Sequence, residues 1–286
     1  MASTHLGDVQ YQVQKFWSPK ATMQLREKLL LGSLVNKEYQ GDLKAKGDTV
    51  RVYQVNAPTA TTTTIGTTGS NEFAAAALST SYVDIVANKH VTAAFEFGDE
   101  VELMSLIDRD NPEVMQALVF AVEKAVNSAL YACMVPSTSS PDHTINLVTD
   151  FNNTQLLNAR LLASQAKWGK TKPWYALLDP SYMNDQLAVQ TLVSSDFVSG
   201  DQPVVAGQIG TRRYGFTMFE DDSLATDTAY LFHPDAVHLV MAKEMNIKVS
   251  DLHPVGKHGV LMSVDLIFGC AVGIEGAKKC IKVTAA

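Results

Sequence analysis

Between positions 82 and 97 the chain alternates. Val83, Ile85, Ala87, Val91, Ala93, Phe95 and Phe97 share one parity, with Lys89 as the charged member of that row. Tyr82, Asp84, Asn88, His90, Thr92 and Glu96 occupy the other parity. Period-two patterning predicts a strand with one covered face. Unbroken, it runs for 16 residues, against ~5–6 for an ordinary strand. At ~3.4 Å per residue it would reach roughly 50 Å. A two-stranded ribbon of that length leaves the body of its own subunit, and this is the reading preferred from the pattern. Two ordinary strands broken near Asn88 are the alternative.

The segment 49–55, TVRVYQV, is rich in β-branched residues and reads as the outgoing strand. Residues 56–81 between the two limbs have another character. Seven of the ten residues 59–68 are threonine, and four alanines follow at 74–77. Between Arg51 and Lys89 the only charges are Glu72 and Asp84. Such a segment cannot build a core of its own, yet it lacks the charge of a solvated linker. It is expected to be a flexible loop tip that another surface covers.

Helical patterns follow. Gly98-Asp99, with Glu102 three residues on, predicts a capped helix start. Asn111-Pro112-Glu113 combines an N-cap, a first-turn proline and an acid. The helix it opens should continue to about residue 135, where Pro136 ends it. Only Glu123 and Lys124 charge its interior, which predicts a spine helix over 112–135 buried nearly all round. Further helices are expected over 154–168, from Asp179-Pro180 to about 192, and briefly from His233-Pro234-Asp235 through AVHLVM. Strands are expected at 174–178, 213–219, 228–232, 245–251, 259–272 and 280–284. Residues 137–142 and 194–212 read as loops. This order is α+β, without the regular βα alternation of a doubly wound sheet.

Composition sharpens this picture. Hydrophobic residues make up 46%, as in any globular chain, but charged residues only 19%, below the ordinary ~25%. So few charges point to extensive contact with other chains. A net charge of −7 argues against a protein that grips nucleic acid by neutralising phosphates. Cys133, Cys270 and Cys280 form no CxxC pair and read as reduced, packed thiols. The first twenty residues lack the apolar run of a signal peptide. No stretch reaches the ~18 apolar residues of a membrane span, so a soluble protein without membrane partners is expected.

A search for chemistry finds no phosphate loop, dinucleotide fingerprint or serine elbow. His233/His238 and His253/His258 are each five residues apart, which on a helix separates the rings by ~140° and sets no metal site. Glu220-Asp221-Asp222 lacks the alternating acids of a calcium loop and reads as a solvated loop. No cofactor is implied, and nothing specifies an enzyme.

The order of these parts carries a resemblance. An aromatic N-terminal segment with Tyr11, Phe16 and Trp17 precedes a short helix, then GDTVRVYQV, a long loop, the return through VTAAFEFGDE and the spine helix. ALLDPSYMNDQL, VVAGQIGTRRYGFTMFEDDSL and AYLFHPDAVHLVMAKEMNIKV follow, with a G-x-I-G-x-x-x-x-G-F turn over 207–216. Over essentially its whole length the sequence resembles the major capsid proteins of tailed bacteriophages, the HK97-like fold. The resemblance implies an N-terminal arm (1–31), an extended β-hairpin loop (48–97), a peripheral domain (98–150 and 244–286) and an axial domain (174–243).

It further implies self-assembly into the pentamers and hexamers of an icosahedral virion, built in the bacterial host cytoplasm. Packaged double-stranded DNA would be confined by the wall without specific binding. Portal, scaffolding and decoration proteins would be the other partners. Tyr11, Phe16, Trp17, Arg51, Tyr53, Ile65, Phe73, Tyr82 and Lys89 would make contacts between subunits, Lys89 through an ion pair or hydrogen bond. Some family members join a loop lysine covalently to a neighbour's asparagine. No lysine lies between Lys46 and Lys89 here, so a shell without covalent links is expected. Two rival readings are an encapsulin-type nanocompartment shell of the same fold and an unrelated α+β enzyme.

Overall fold

The computed structural model describes residues 30–42, 49–60, 62, 75–99, 112–147, 150–189, 212–253 and 256–285. Most of the expected helix start at 98–102, the middle of the loop tip over 56–81 and nearly all of the loop over 194–212 lie outside these residues.

Three sheets organise the described chain. Strands β1 (Thr49–Val55) and β2 (Thr80–Val86) pair as an antiparallel hairpin, with Tyr53 opposite Tyr82 and Arg51 opposite Asp84. Strand β3 (Lys89–Gly98) belongs to a different sheet, in the order β3-β9-β8, where β8 is Val237–Asp251 and β9 is Gly259–Val272. The 16-residue ribbon is therefore broken, as in the alternative reading. At the break the Asn88 amide turns back onto the Val86 carbonyl, 3.0 Å away. Only the first limb projects from the body; the second is an edge strand of the long sheet.

Helix α1 (Leu31–Leu34) opens the described chain, and α2 (Pro112–Cys133) lies across the long sheet. Leu118, Val122, Val126 and Leu130, four residues apart, are buried on one stripe of α2. They meet Met262, Val264, Leu266 and Phe268, alternate residues of β9. Each such side chain contributes about 1.5–3 kcal/mol on burial. The expectation of a helix buried all round fails here. Gln116, Ala121, Glu123, Lys124, Ser128 and Ala132 are exposed, because a single sheet covers only one stripe.

The third sheet is five-stranded and mixed, in the order β4-β10-β7-β5-β6: Thr144–Leu147, Cys280–Ala285, Thr228–Phe232, Trp174–Leu178 and Phe216–Glu220. Helices α3 (Asn153–Gln165) and α4 (Pro180–Ala188) flank it. Asn152 caps α3 by accepting from the Thr154 amide at 2.9 Å, and Asp179 caps α4 by accepting from the Tyr182 amide at 3.0 Å. The core beneath contains Phe151, Trp168, Trp174 and Phe216. The strands at Trp174–Leu178, Thr228–Phe232 and Gly259–Val272 coincide with their expected ranges.

Other elements differ from the pattern. AVHLVM is strand, not helix: one 3-10 turn, Pro234–Ala236, ends at Val237 and β8 begins. Its β-branched residues pair with β9, while the Leu239 amide donates to the Asn36 carbonyl at 2.9 Å on the other side. The strand expected at 213 starts at Phe216, because Tyr214 (φ 50) and Gly215 (φ 98) form a left-handed turn. The short strand β4 was not singled out by the pattern at all.

The segment leading out of α1 is tied to the body by polar contacts. Asn36 Nδ2 donates to Asp235 at 2.8 Å, and Lys172 Nζ donates to Glu38 at 2.8 Å and to Asp235 at 2.9 Å. The Lys172 hydrogen bond lowers the Glu38 carboxyl below its ordinary range. Burial opposes ionisation of Asp235, but Lys172, His233 and Asn36 still hold its carboxyl low.

Candidate interaction surface

The hairpin has two unlike faces. On the inner face Val50 and Ile85, direct partners in the ladder, are buried with Val240 of β8, and Tyr39, Val52 and Ala271 pack against them. This anchors only the base. Beyond it no described element covers the ladder, and Gln54 and Val55, on opposite faces, are both exposed.

The outer face carries Arg51, Tyr53, Val55, Tyr82 and Asp84. Arg51 donates to both carboxylate oxygens of Asp84, at 2.7 and 2.8 Å, and its guanidinium lies 4.4 Å from the centre of the Tyr82 ring. The hydrogen bond from Arg51 lowers the Asp84 carboxyl, and the same bond raises the guanidinium. An exposed pair of this kind adds little stability. Tyr53 is 71% exposed, Tyr82 59% and Leu78, on the descending limb, 80%. Large apolar groups gathered on a projecting element mark a contact surface.

Of the residues expected at subunit contacts, Arg51, Tyr53 and Tyr82 come together on this face. Tyr11, Phe16, Trp17, Ile65 and Phe73 lie outside the described residues. Lys89 stands apart. Its ammonium donates to Cys270 Sγ at 3.3 Å and lies 5.9 Å from the Phe268 ring centre, within its own chain.

Sequence reasoning missed a second apolar patch. Phe95, Met262 and Val249 are cross-strand neighbours on the face of the long sheet that α2 covers. Phe95 and Val249 are exposed to either side of buried Met262, and Ile247 beside them is exposed too. Leu157 and Leu161, one turn apart on α3, add a smaller exposed pair. The i, i+4 spacing of the leucines was legible; that no described residue covers them was not.

Two readings of polar residues change. Asp221 is fully buried rather than solvated. It accepts from the Tyr131 hydroxyl at 2.5 Å and from the Ser223 amide and hydroxyl at 2.9 and 2.5 Å. Burial and this bond push the Tyr131 hydroxyl far above its ordinary pKa. His253 and His258 do not share an α-helix; both lie in the β8–β9 connection, and their rings meet edge-on at 5.9 Å. Among the described residues no three His, Cys, Asp or Glu side chains come close enough to hold a metal ion. A groove of about 380 Å³ beside α1 is lined by Val126, Leu239, Met241, Met245 and Leu266, with Lys37 and Glu123 at its edge. Among the described residues no helix is long and apolar enough to cross a membrane.

No protein-family model matches the chain, and no curated protein matches it in sequence. Solved structures do. A chain of Mycobacterium phage Che8 is 19% identical, with a TM-score of 0.76 over 95% of this chain and 96% of that one. The capsid structure of the cyanophage P-SCSP1u matches at 14% identity and a TM-score of 0.77, over 100% of this chain and 95% of that one. The capsid asymmetric unit of cyanophage Pam1 matches at 13% identity and 0.76, over 99% and 98%. At such identities the likeness is one of fold, and it runs end to end. The chain has the mixed α+β fold of these phage chains, two of which come from capsid structures.

Proposed function

We propose that the protein is the major capsid subunit of a tailed bacteriophage, with the HK97-like arrangement. It assembles with itself into pentamers and hexamers of an icosahedral shell around double-stranded DNA. One observation carries this reading: the outer hairpin face exposes Tyr53, Val55 and Tyr82 on an element anchored only at its base. That apolar area is stabilising only when a second chain covers it. The likeness in fold to phage capsid chains supports the same conclusion.

On this reading residues 1–31 form the arm, 48–97 the extended loop, 98–150 with 244–286 the peripheral domain, and 174–243 the axial domain. The loop then has two parts, a projecting hairpin and a root, β3, built into the long sheet. The net charge of −7 suits a wall that confines DNA rather than gripping it. Catalysis has no part in this role. Portal, scaffolding and decoration proteins would join the shell in the virion.

Electron microscopy of the purified full chain in native buffer tests the reading. Closed icosahedral particles or isolated capsomers are the expected outcome. A monodisperse monomer at every concentration would overturn it in favour of an unrelated α+β protein. Shells produced in cells that enclose a protein cargo instead of DNA would move the assignment to an encapsulin-type compartment.

A further inference from the structure

Cys133 is the last residue of α2, and Cys270 lies near the end of β9 on the face that α2 covers. They are 137 positions apart in the chain, yet their sulfurs are 2.8 Å apart. That is only ~0.8 Å beyond the ~2.05 Å of a disulfide bond. Lys89 Nζ stands 3.3 Å from Cys270 Sγ. Cys270 Sγ is also 3.7 Å from the Ala129 carbonyl oxygen, and Cys133 Sγ is 3.8 Å from the Cys270 carbonyl oxygen. Both thiols are partly exposed, whereas Cys280 is 1% exposed.

We propose that Cys133 and Cys270 are an oxidisable dithiol, which a small-molecule disulfide such as oxidised glutathione closes into an intrachain bond between α2 and β9. Lys89 is the residue that makes Cys270 the attacking sulfur. A lysine at the end of an apolar row, with Val91 and Ala93 beside it, is costly to desolvate unless an anion answers it. Among the described residues no carboxylate does so; the group its ammonium meets is the Cys270 sulfur. The Cys133 S–H and the Lys89 ammonium both donate to that sulfur and favour its thiolate. The bond to Cys270, with burial, holds Cys133 as the thiol instead. One thiolate and one thiol in contact are the two partners an exchange reaction needs.

The steps balance. The Cys270 thiolate attacks one sulfur of oxidised glutathione, forming a mixed disulfide and releasing one glutathione thiolate, which takes up a proton. Cys133 then loses its proton, and its sulfur attacks the Cys270 sulfur of the mixed disulfide, expelling the second glutathione. Counted from the dithiol, the protein loses two protons and two electrons, and one small disulfide becomes two thiols. In a reducing cytoplasm the pair stays open, and in an oxidising medium it closes. If the chain is a shell subunit, closure would follow release of the particle from the host, a consequence that rests on the shell reading. The bond itself does not.

The test uses the full chain, reduced, freed of reductant and exposed to oxidised glutathione, with intact mass and non-reducing peptide maps as readouts. The expected product has lost two hydrogens, runs as a monomer without reductant and yields one linked peptide pair containing Cys133 and Cys270. Cys280 should be alkylated only after denaturation. Cys133→Ser should trap a single glutathionyl group on Cys270. Cys270→Ser should leave Cys133 unmodified over the same time. Lys89→Gln should slow trapping in the Cys133→Ser background by a few-fold, because the thiolate fraction falls while the intrinsic nucleophilicity of the sulfur rises. An unchanged mass, disulfides linking different chains, or equal glutathionylation of Cys133 in the Cys270→Ser chain would overturn the proposal. Each readout is the same whether or not the chain assembles.

Discussion

A methyl group on Gly269 would lie 2.3 Å from the carbonyl oxygen of Val86 and 2.8 Å from the Ala87 Cα. The chain leaves the hairpin at Val86, crosses β9 against this glycine, and enters the long sheet at Lys89. The crossing needs a residue without a side chain, because the obstructing atoms are backbone.

Gly269→Ala should therefore destabilise the fold by about 1–3 kcal/mol, the usual cost of overpacking. Urea unfolding of the variant measures it. An unchanged midpoint would mean that the crossover can move aside freely.

Tyr53→Ser with Tyr82→Ser should leave the unfolding free energy of the isolated subunit within about 0.5 kcal/mol, as exposed positions do. Assembly should weaken markedly, since large aromatics dominate interfaces between chains. Sedimentation and urea unfolding of the same preparation separate the two effects. Normal particles from the double variant would remove the hairpin face from the contact.

Stability should fall with acidity in two stages. Burial lowers His233 and His238 below the ordinary imidazole value. The unfolded chain therefore takes up protons near pH ~6.5 that the folded chain refuses, and stability drops as pH falls through that value. Glu38 and Asp235, held low beside Lys172, retain their contribution until pH falls below about 4, the unfolded carboxylate range, and lose it as pH passes their folded values. Unfolding midpoints measured from about pH 8 to pH 3 should show both limbs. His238→Gln should flatten the upper limb; an upper limb as steep as before would assign it to other groups.

Tyr131→Phe keeps the ring against Tyr230, 5.3 Å away centre to centre, and deletes the hydroxyl that Asp221 accepts from. A loss of about 1–3 kcal/mol is expected, as for a hydrogen bond to a charged group. Thermal or urea unfolding reads it directly. Stability equal to the parent would show that Ser223 alone satisfies the carboxylate.

Assembled particles boiled in detergent with reductant should give one band at the mass of a single subunit. The loop offers no amine between Lys46 and Lys89, and Lys89 is turned toward Cys270 in its own chain. A ladder of multiples surviving these conditions would place a cross-link elsewhere.

Local physics was legible before any coordinates. Pro112 and Pro136 bracket the spine helix, Asp179-Pro180 starts α4, and apolar runs mark β5, β7 and β9, because caps and periodicity act within a few residues. Tyr53, Tyr82 and Arg51, contact residues on the strength of the resemblance, share one exposed face. The break at Asn88 was not decided by the pattern. Alternation keeps the same parity on both sides of it, and parity says which face a residue occupies, not which sheet its strand joins. Pairing of β3 with β9, about 170 positions later in the chain, settles that choice. The same holds for polar residues whose partners are remote. Asp221 reads as solvated until Tyr131, 90 positions earlier, covers it. Lys89 reads as the one charge in an apolar row, and only the fold shows that Cys270, 181 positions later, meets it. Short-range order follows from neighbours along the chain; the partner of a buried charge follows only from which distant elements the core brings together.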